Sequence, residues 1–469
     1  MKNKKHLLKP ATALLLTCLL LVCAALPCFA AEETETFTPV LRFIASSDSH
    51  VRMENDKTFE RIGRMLAQAY ALSDGDETYQ NLDALVMAGD LTNSGTPEEF
   101  DKFWSAVSAA KRDDTQFLGV VAKNHDGWNM SRKELRAYYG NLTGETADFH
   151  KVINGFHFIG LSASDTDGVH YSDEQLAWLR AQLDTAVAEA PDKPVFFIHH
   201  EHNRGTVYGS STFDGWGIKY FKKILSDYPQ VVDFSGHSHY PLNDPRSIWQ
   251  GKYTAIGTGA IYYSEFTIDD IRAYDPPDCE DTATYWLVEV NENGDLHLRG
   301  MDILAEEQLC EYTIKNPADS ANRDFTPAKL KAASKAPVFA PDAAITTAVN
   351  EDGTRSVTVP AAQSTDGTPV VLYRITVKTA YGLTAEKQWV LPHYHVADGE
   401  ETITFTVSGL AKGRYKLSVT AETAYGVKSE PVKGEATLDS GVNGIGFFFK
   451  ALVRPVVRGV QVAWRHIFK

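Results

Sequence analysis

The sequence predicts an α/β domain followed by an all-β sandwich domain, and two patterns carry that prediction. Between Leu41 and about Ile303, apolar strand-like runs alternate with helix-like ones, as in an α/β domain. Residues 338–438 instead read as short strands separated by turn signals, with no helical stretch, which suits a sandwich of about 100 residues. The 469-residue chain has room for such a division.

The α/β stretch opens with strand Leu41–Ser46, helix Phe59–Leu72, strand Leu82–Met87, helix Pro97–Ala110 and strand Phe117–Ala122. It continues with strand Phe156–Ser162, helix Ser172–Ala188, strand Val195–Ile198, helix Trp216–Leu225 and strand Val231–Phe234, and becomes mostly strand from Tyr253. The expected domain spans 38–314, and a linker rich in Ala, Lys and Pro covers 315–337. Thr379-Ala-Tyr-Gly382 and Thr423-Ala-Tyr-Gly426 read as two similar strand ends.

Residues 1–30 have the form of an export signal. Lys2, Lys4, Lys5 and Lys9 precede an apolar run from Ala11 to Phe29, and the small Ala30 and Ala31 lead into Glu32 and Glu33. An uncleaved anchor is the alternative, because the run is just long enough to span a bilayer. The expected location is secreted or cell-surface. The chain carries 46 basic and 61 acidic residues, net −15, and without residues 1–30 the balance becomes −19. That charge argues against a nucleic-acid-coating role. Five cysteines exclude a disulfide-stapled miniprotein. Cys279 and Cys310 flank alternating runs joined by Asn293-Gly294, a hairpin signal. If Glu292 pairs with Asp295, the two cysteines lie near each other and either bridge or stay separate thiols.

Residues 440–469 form a basic tail with amphipathic spacing. Lys450, Arg454, Arg458, Arg465 and Lys469 fall on one helical stripe, with Phe447, Leu452, Val456, Val460 and Trp464 on other faces. Such a helix suits an anionic membrane surface, or a dock on the acidic body of the same chain. A cell-surface or cell-wall contact through the tail and the sandwich is the corresponding partner expectation.

Five short motifs follow predicted strands: Asp48-Ser-His50, Gly89-Asp90, Asn124-His125-Asp126, His199-His200 and Gly236-His-Ser-His239. Each falls where an apolar strand ends, the place where α/β folds collect binding residues. Asp48, His50, Asp90, Asn124, His199, His237 and His239 offer carboxylate, imidazole and amide donors and no thiolate, a set suited to hard-to-borderline divalent metals. Seven ligands exceed one tetrahedral site and suit two metals sharing a carboxylate, a clamp for in-line displacement at phosphorus.

From Leu41 to Tyr240 these five blocks, in this order, resemble the calcineurin-like metallophosphoesterase superfamily. The resemblance implies two packed β-sheets flanked by helices, a four-layer sandwich with a di-metal centre at the strand ends. It also implies two divalent ions (Mn, Fe or Zn), with Asp48, His50 and His239 on the first, Asp90 bridging, and Asn124, His199 and His237 on the second. Metal-bound hydroxide would attack a phosphate monoester or diester in line, His125 would protonate the leaving oxygen, and Asp126 would orient that imidazole. His200 replaces His199 if the strand ends one residue later. Lys123 stands where the family has glycine, and its ammonium faces either the substrate phosphate or solvent. His202 and Arg204 are candidate substrate contacts, with an exposed loop cation as the alternative reading. The stretch Thr404–Ala421 resembles the last strands of a fibronectin type III module. The expected activity is therefore an exported phosphoester hydrolase. The alternatives are a non-catalytic surface-binding protein on the same scaffold and a nuclease or nucleotidase of the same superfamily.

Overall fold

The computed structural model describes residues 37–212, 217–267, 273–274, 279–352, 354–396 and 401–438. The expected signal at 1–30 and the basic tail at 440–469 lie outside the described residues. The chain divides into Met1–Thr38 and Pro39–Lys469, and the second unit is described below. Among the described residues no helix is long and apolar enough to cross a membrane.

The first half runs β1 (Pro39–Ser46), α1 (Lys57–Asp74), β2 (Ala84–Ala88), α2 (Pro97–Ala110), β3 (Gln116–Val120) and α3 (Arg132–Thr143). Then come β4 (Phe149–Ile153), β5 (Phe156–Gly160), α4 (Asp173–Glu189), β6 (Val195–Glu201), α5 (Lys222–Leu225) and β7 (Val231–Gly236). The domain closes with β8 (Ile248–Gln250), β9 (Thr254–Gly257), β10 (Phe266–Thr267), β11 (Ala273–Tyr274), β12 (Thr284–Asn291), β13 (Leu296–Asp302) and β14 (Glu307–Ile314).

Two six-stranded mixed sheets result, ordered β14-β13-β12-β1-β2-β3 and β4-β5-β6-β7-β9-β8. Strand alternation decides what each face buries. Leu41, Phe43 and Ala45 of β1 share one core cluster with Phe156, Phe158, Phe196, Ile198, Val232 and Phe234 of the other sheet. Ile44 of β1 points the other way, into a cluster with Ile62, Met65, Leu66 and Phe103 of α1 and α2. Phe197 and Val195 of β6 likewise meet Leu179 and Leu183 of α4. Helix α2 starts where expected because Thr96 accepts from Glu99 N and Pro97 occupies the first turn. Such a cap contributes about 1 kcal/mol.

The structure adds to or departs from the sequence reading at three places. Helix α3 and strand β4 went unforeseen. Among the described residues of the expected helix Trp216–Leu225 only Lys222–Leu225 are helical, since Ile218 pairs with the chain at His202 and Arg204 instead. In the β12–β13 hairpin Asp295 opposes Asn291, not Glu292, Cys310 sits on β14 opposite Gly300, and of the two outcomes left open Cys279 and Cys310 are not joined.

A short helix, α6 (Pro327–Ala333), lies within the expected linker. Beyond it lie β15 (Thr346–Val349), β16 (Arg355–Pro360), β17 (Val370–Thr379), β18 (Thr384–Val390), β19 (Thr402–Val407), β20 (Gly413–Thr423) and β21 (Val432–Leu438). They form a three-stranded sheet β15-β16-β19 and a four-stranded sheet β18-β17-β20-β21, all antiparallel, around one core that includes Val357, Tyr373, Phe405 and Val419. The two Thr-Ala-Tyr-Gly segments close equivalent turns, with Gly382 N donating to Thr379 O and Gly426 N to Thr423 O, both at 2.9 Å.

Candidate metal centre

The strand ends of β1, β2, β3, β6 and β7 bring most of the expected residues together. Asp48, His50 and His239 each offer a donor atom within 4.8 Å of the others, and so do Asp90, His200 and His237. His50, Asp90 and His125 form a third such group that links the two. Asp48, His50, Asp90, His237 and His239 all have positive φ, between 43° and 72°. That region is costly for side chains other than glycine and persists only where the surroundings enforce it. Gly89, at φ +88°, must be glycine, because a Cβ there would stand 2.8 Å from His200 Nδ1.

Each ligand atom is aimed by a hydrogen bond behind it. Asp48 Oδ2 accepts from the Ser47 hydroxyl and from His237 N, the latter at 2.9 Å. Its Oδ1 is thereby turned toward His239 Nε2 at 3.1 Å and His50 Nε2 at 3.7 Å. His200 Nδ1 donates to Ala88 O at 2.9 Å, which leaves Nε2 facing Asp90 Oδ2 at 3.0 Å and His237 Nδ1 at 3.2 Å. Burial drives the His50 and His237 imidazoles down to about 4, so both rings are neutral at physiological pH. Asp90 Oδ1 is buried without a hydrogen-bond partner. Converging imidazoles, two buried carboxylates and an orphaned oxygen fit a pair of divalent cations.

His199, expected as a ligand, does not face this cluster. Its Nε2 bonds Asp233 Oδ1 at 2.7 Å, and its ring packs against Phe197 and Phe221. Strand β6 runs on to Glu201, so the ring facing the cluster belongs to His200. Alternation would have found it, because His200 shares a face with Phe196 and Ile198, which point between the sheets. Asn124 precedes the short turn His125–Gly127, and its carbonyl accepts from Gly127 N at 2.9 Å.

His125 Nδ1 donates to the Asn93 carbonyl at 2.7 Å, so Asn93, not Asp126, orients this imidazole. Asp126 instead accepts from Thr92 N, Thr92 Oγ1 and Ala122 N, each at 2.9 Å, and ties the loop after β2 to the loop after β3. Burial, then the neighbouring Asp90 charge, pushes the Asp126 carboxyl up to about 7 against those donors. The indole of Trp128, which sequence reasoning missed, lies 4.0 Å from the His125 ring centroid and is 60% exposed. His202, expected in an exposed loop or at the substrate, is buried, with its two ring nitrogens bonded to Ser235 Oγ and Ser238 Oγ at 2.8 and 2.6 Å. Lys123 and Arg204 are held through their backbones, Lys123 O accepting from Arg132 Nη2 at 2.5 Å and Arg204 N donating to Ile218 O at 2.8 Å.

Two mixed carboxylate–imidazole pockets at the ends of packed sheet strands make this a candidate di-metal α/β protein. Residues 41–241 match the family described as calcineurin-like phosphoesterase. The chain is 26% identical over 247 residues to the glycerophosphodiester phosphodiesterase GpdQ of Enterobacter lignolyticus, spanning 50% of this chain and 83% of that protein. It is 25% identical over 214 residues to a cAMP/cGMP dual specificity phosphodiesterase of Mycobacterium tuberculosis, spanning 45% of this chain and 62% of that one. Among solved structures, the purple acid phosphatase PPD1 of yellow lupin (Lupinus luteus) aligns at a TM-score of 0.39 with 11% identity, over 59% of this chain and 54% of that one.

Proposed function

We propose that this protein is an exported, metal-dependent phosphoester hydrolase that prefers diesters. The observation that carries the reading is the pair of donor clusters sharing one strand-end edge, with His125 grouped beside His50 and Asp90. The activities named for both relatives are on phosphodiesters, which favours a diester over a monoester. The lysine-led apolar run at the N-terminus supports export, and the two C-terminal sheets read as the fibronectin type III-like module.

Asp48, His50 and His239 would hold one cation, and Asp90, His200 and His237 the other, with Asp90 positioned to bridge and Asn124 near enough in sequence to complete the set. When bound, such a pair supplies Lewis acidity toward a phosphoryl oxygen and activates water. The chain's own contribution is orientation and proton delivery. The Asn93 carbonyl fixes the His125 tautomer with the proton on Nδ1. On gaining a second proton, His125 becomes an acid able to protonate the departing alkoxide from Nε2. Trp128 packs on one side of that ring and His50 on another, which restricts its swing.

The test is hydrolysis of bis-p-nitrophenyl phosphate by the full chain with added Mn²⁺. Turnover that is abolished by a chelator, restored by metal and reduced about 10²- to 10⁴-fold in His125→Ala is expected. Absence of turnover with Mn²⁺, Fe²⁺ and Zn²⁺ alike would favour a non-catalytic surface-binding protein.

A further inference from the structure

The C-terminal all-β module reaches the wall of the first donor cluster from two directions. His239 leads directly into residues 240–247. There, Asn243 Nδ2 donates to the Tyr394 carbonyl, and the Tyr394 hydroxyl donates to Asp244 Oδ2 at 3.2 Å. Asp244 is fully buried and also accepts from Arg246 Nε and Nη2 at 2.8 and 2.6 Å. This makes the contact a built junction, unlike a loose surface touch.

The second direction is the segment that backs His239. Glu265 N donates to His239 O at 3.0 Å, and the Tyr263 ring lies 4.3 Å from the His239 ring. The next residue, Phe266, is buried edge-on against Tyr394 and His395, with centroids 5.6 and 4.8 Å away. Tyr208 fastens the two segments together. Its N donates to Arg246 O at 2.9 Å, its hydroxyl donates to Thr267 O at 2.8 Å, and its ring lies 4.3 Å from Tyr240.

His239 itself sits at φ 54°, a conformation that a non-glycine residue keeps only when its neighbours over-determine it. In the second cluster the contact behind His200 comes from Ala88 of β2, inside the α/β domain. The module's contacts described above converge on the His239 side.

We propose that the C-terminal module is a brace for the Asp48–His50–His239 pocket, with Tyr394 as a positioning residue for His239 acting through Asp244 and Phe266. This rests on the metal-centre reading. It gives the module a part in the catalytic unit beyond spacing or surface attachment.

The experiment is calorimetric titration of the metal-free full chain with Mn²⁺, with unfolding temperature measured alongside. His239→Ala and His237→Ala assign the two binding steps to their pockets. In Tyr394→Ala the step assigned to His239 weakens about tenfold, the size of effect that removing a supporting contact has on metal affinity, while the His237 step keeps its affinity. Tyr394→Phe, which retains the ring against Phe266 and loses the hydroxyl, falls between. Asn243→Ala, a single side-chain deletion, weakens the same step and serves if Tyr394→Ala does not fold. Equal weakening of both steps, or no change in either, would overturn the brace. No Mn²⁺ uptake by the unaltered protein would overturn the metal-centre reading beneath it.

Discussion

Along β6 the side chains alternate, with Phe196, Ile198 and His200 toward the layer between the sheets and Phe197 and His199 toward the helix side. The two donor clusters lie at the end of the inter-sheet layer, so adjacent histidines face different surroundings. His199 and Asp233 are both fully buried, and Asn203 Nδ2 adds a bond to Asp233 Oδ2 at 2.8 Å. His199→Ala therefore strips a buried carboxylate of its imidazole partner and should lower unfolding stability by about 3–5 kcal/mol, while the folded fraction still takes up metal. His200→Ala should do the reverse, losing Mn²⁺ uptake at the Asp90–His237 pocket with a smaller change in stability. Denaturant unfolding and metal titration of the two variants separate these roles, and the opposite pairing would restore His199 as the ligand. Asp48, His50, Asp90, His237 and His239 were legible because each directly follows an apolar strand. The roles first read for Asp126 and His202 were not, since hydrogen bonds to Thr92, Ser235 and Ser238 join segments far apart in sequence.

At the scale of elements, legibility followed the strength of the apolar pattern. Helices α1 and α2 bury regular stripes, Ile62, Met65, Leu66 and Ala69 in one and Phe100, Phe103 and Val107 in the other. Helix α3 buries only Arg132, Leu135 and Tyr139, and β4 alternates weakly at a sheet edge, so neither rises above a polar background. Its capping box, Ser131 with Glu134, was the available signal. Strand β1, whose C-terminal end leads into Asp48 and His50, is anchored at its far end by a charge network that hydropathy does not show. Buried Arg42 bonds Glu289 Oε1 of β12 at 2.7 Å and pairs with Asp76 just beyond α1. Burial would raise both carboxyls, but His297 and Arg42 hold Glu289 below its ordinary value, and Thr78 with Arg42 hold Asp76 down to about 2. Depressed carboxyls contribute stability that is full above their unfolded values near 4 and is lost as pH falls toward 2. The melting temperature should drop across that window. Arg42→Met, which takes the guanidinium from Asp76 and leaves Glu289 with His297 alone, should cost about 3 kcal/mol at neutral pH and flatten the acid drop. A variant as stable as the parent would show that the network is not an anchor.

The whole molecule carries a net charge of −15. Long polyanions should be repelled in proportion to their length, and salt should relieve the repulsion. Mn²⁺-dependent turnover of single-stranded DNA should therefore be slower than that of a small diester and should rise between about 50 and 300 mM NaCl, a range over which the screening length shrinks to below about 10 Å. Faster turnover of DNA at low salt would instead place the protein with nucleases. The contact of the C-terminal module with the segments around His239 was invisible in the sequence, because Tyr394 and Asp244 are 150 residues apart and belong to different domains. The central claim, that distant acids and histidines gather around two cations, is tested most directly by anomalous diffraction from crystals of the Mn²⁺-loaded protein. Two peaks about 3.5–4 Å apart are predicted, one among Asp48, His50 and His239 and one among Asp90, His200 and His237. No peak at those strand ends, or a peak ligated by His199, would contradict it.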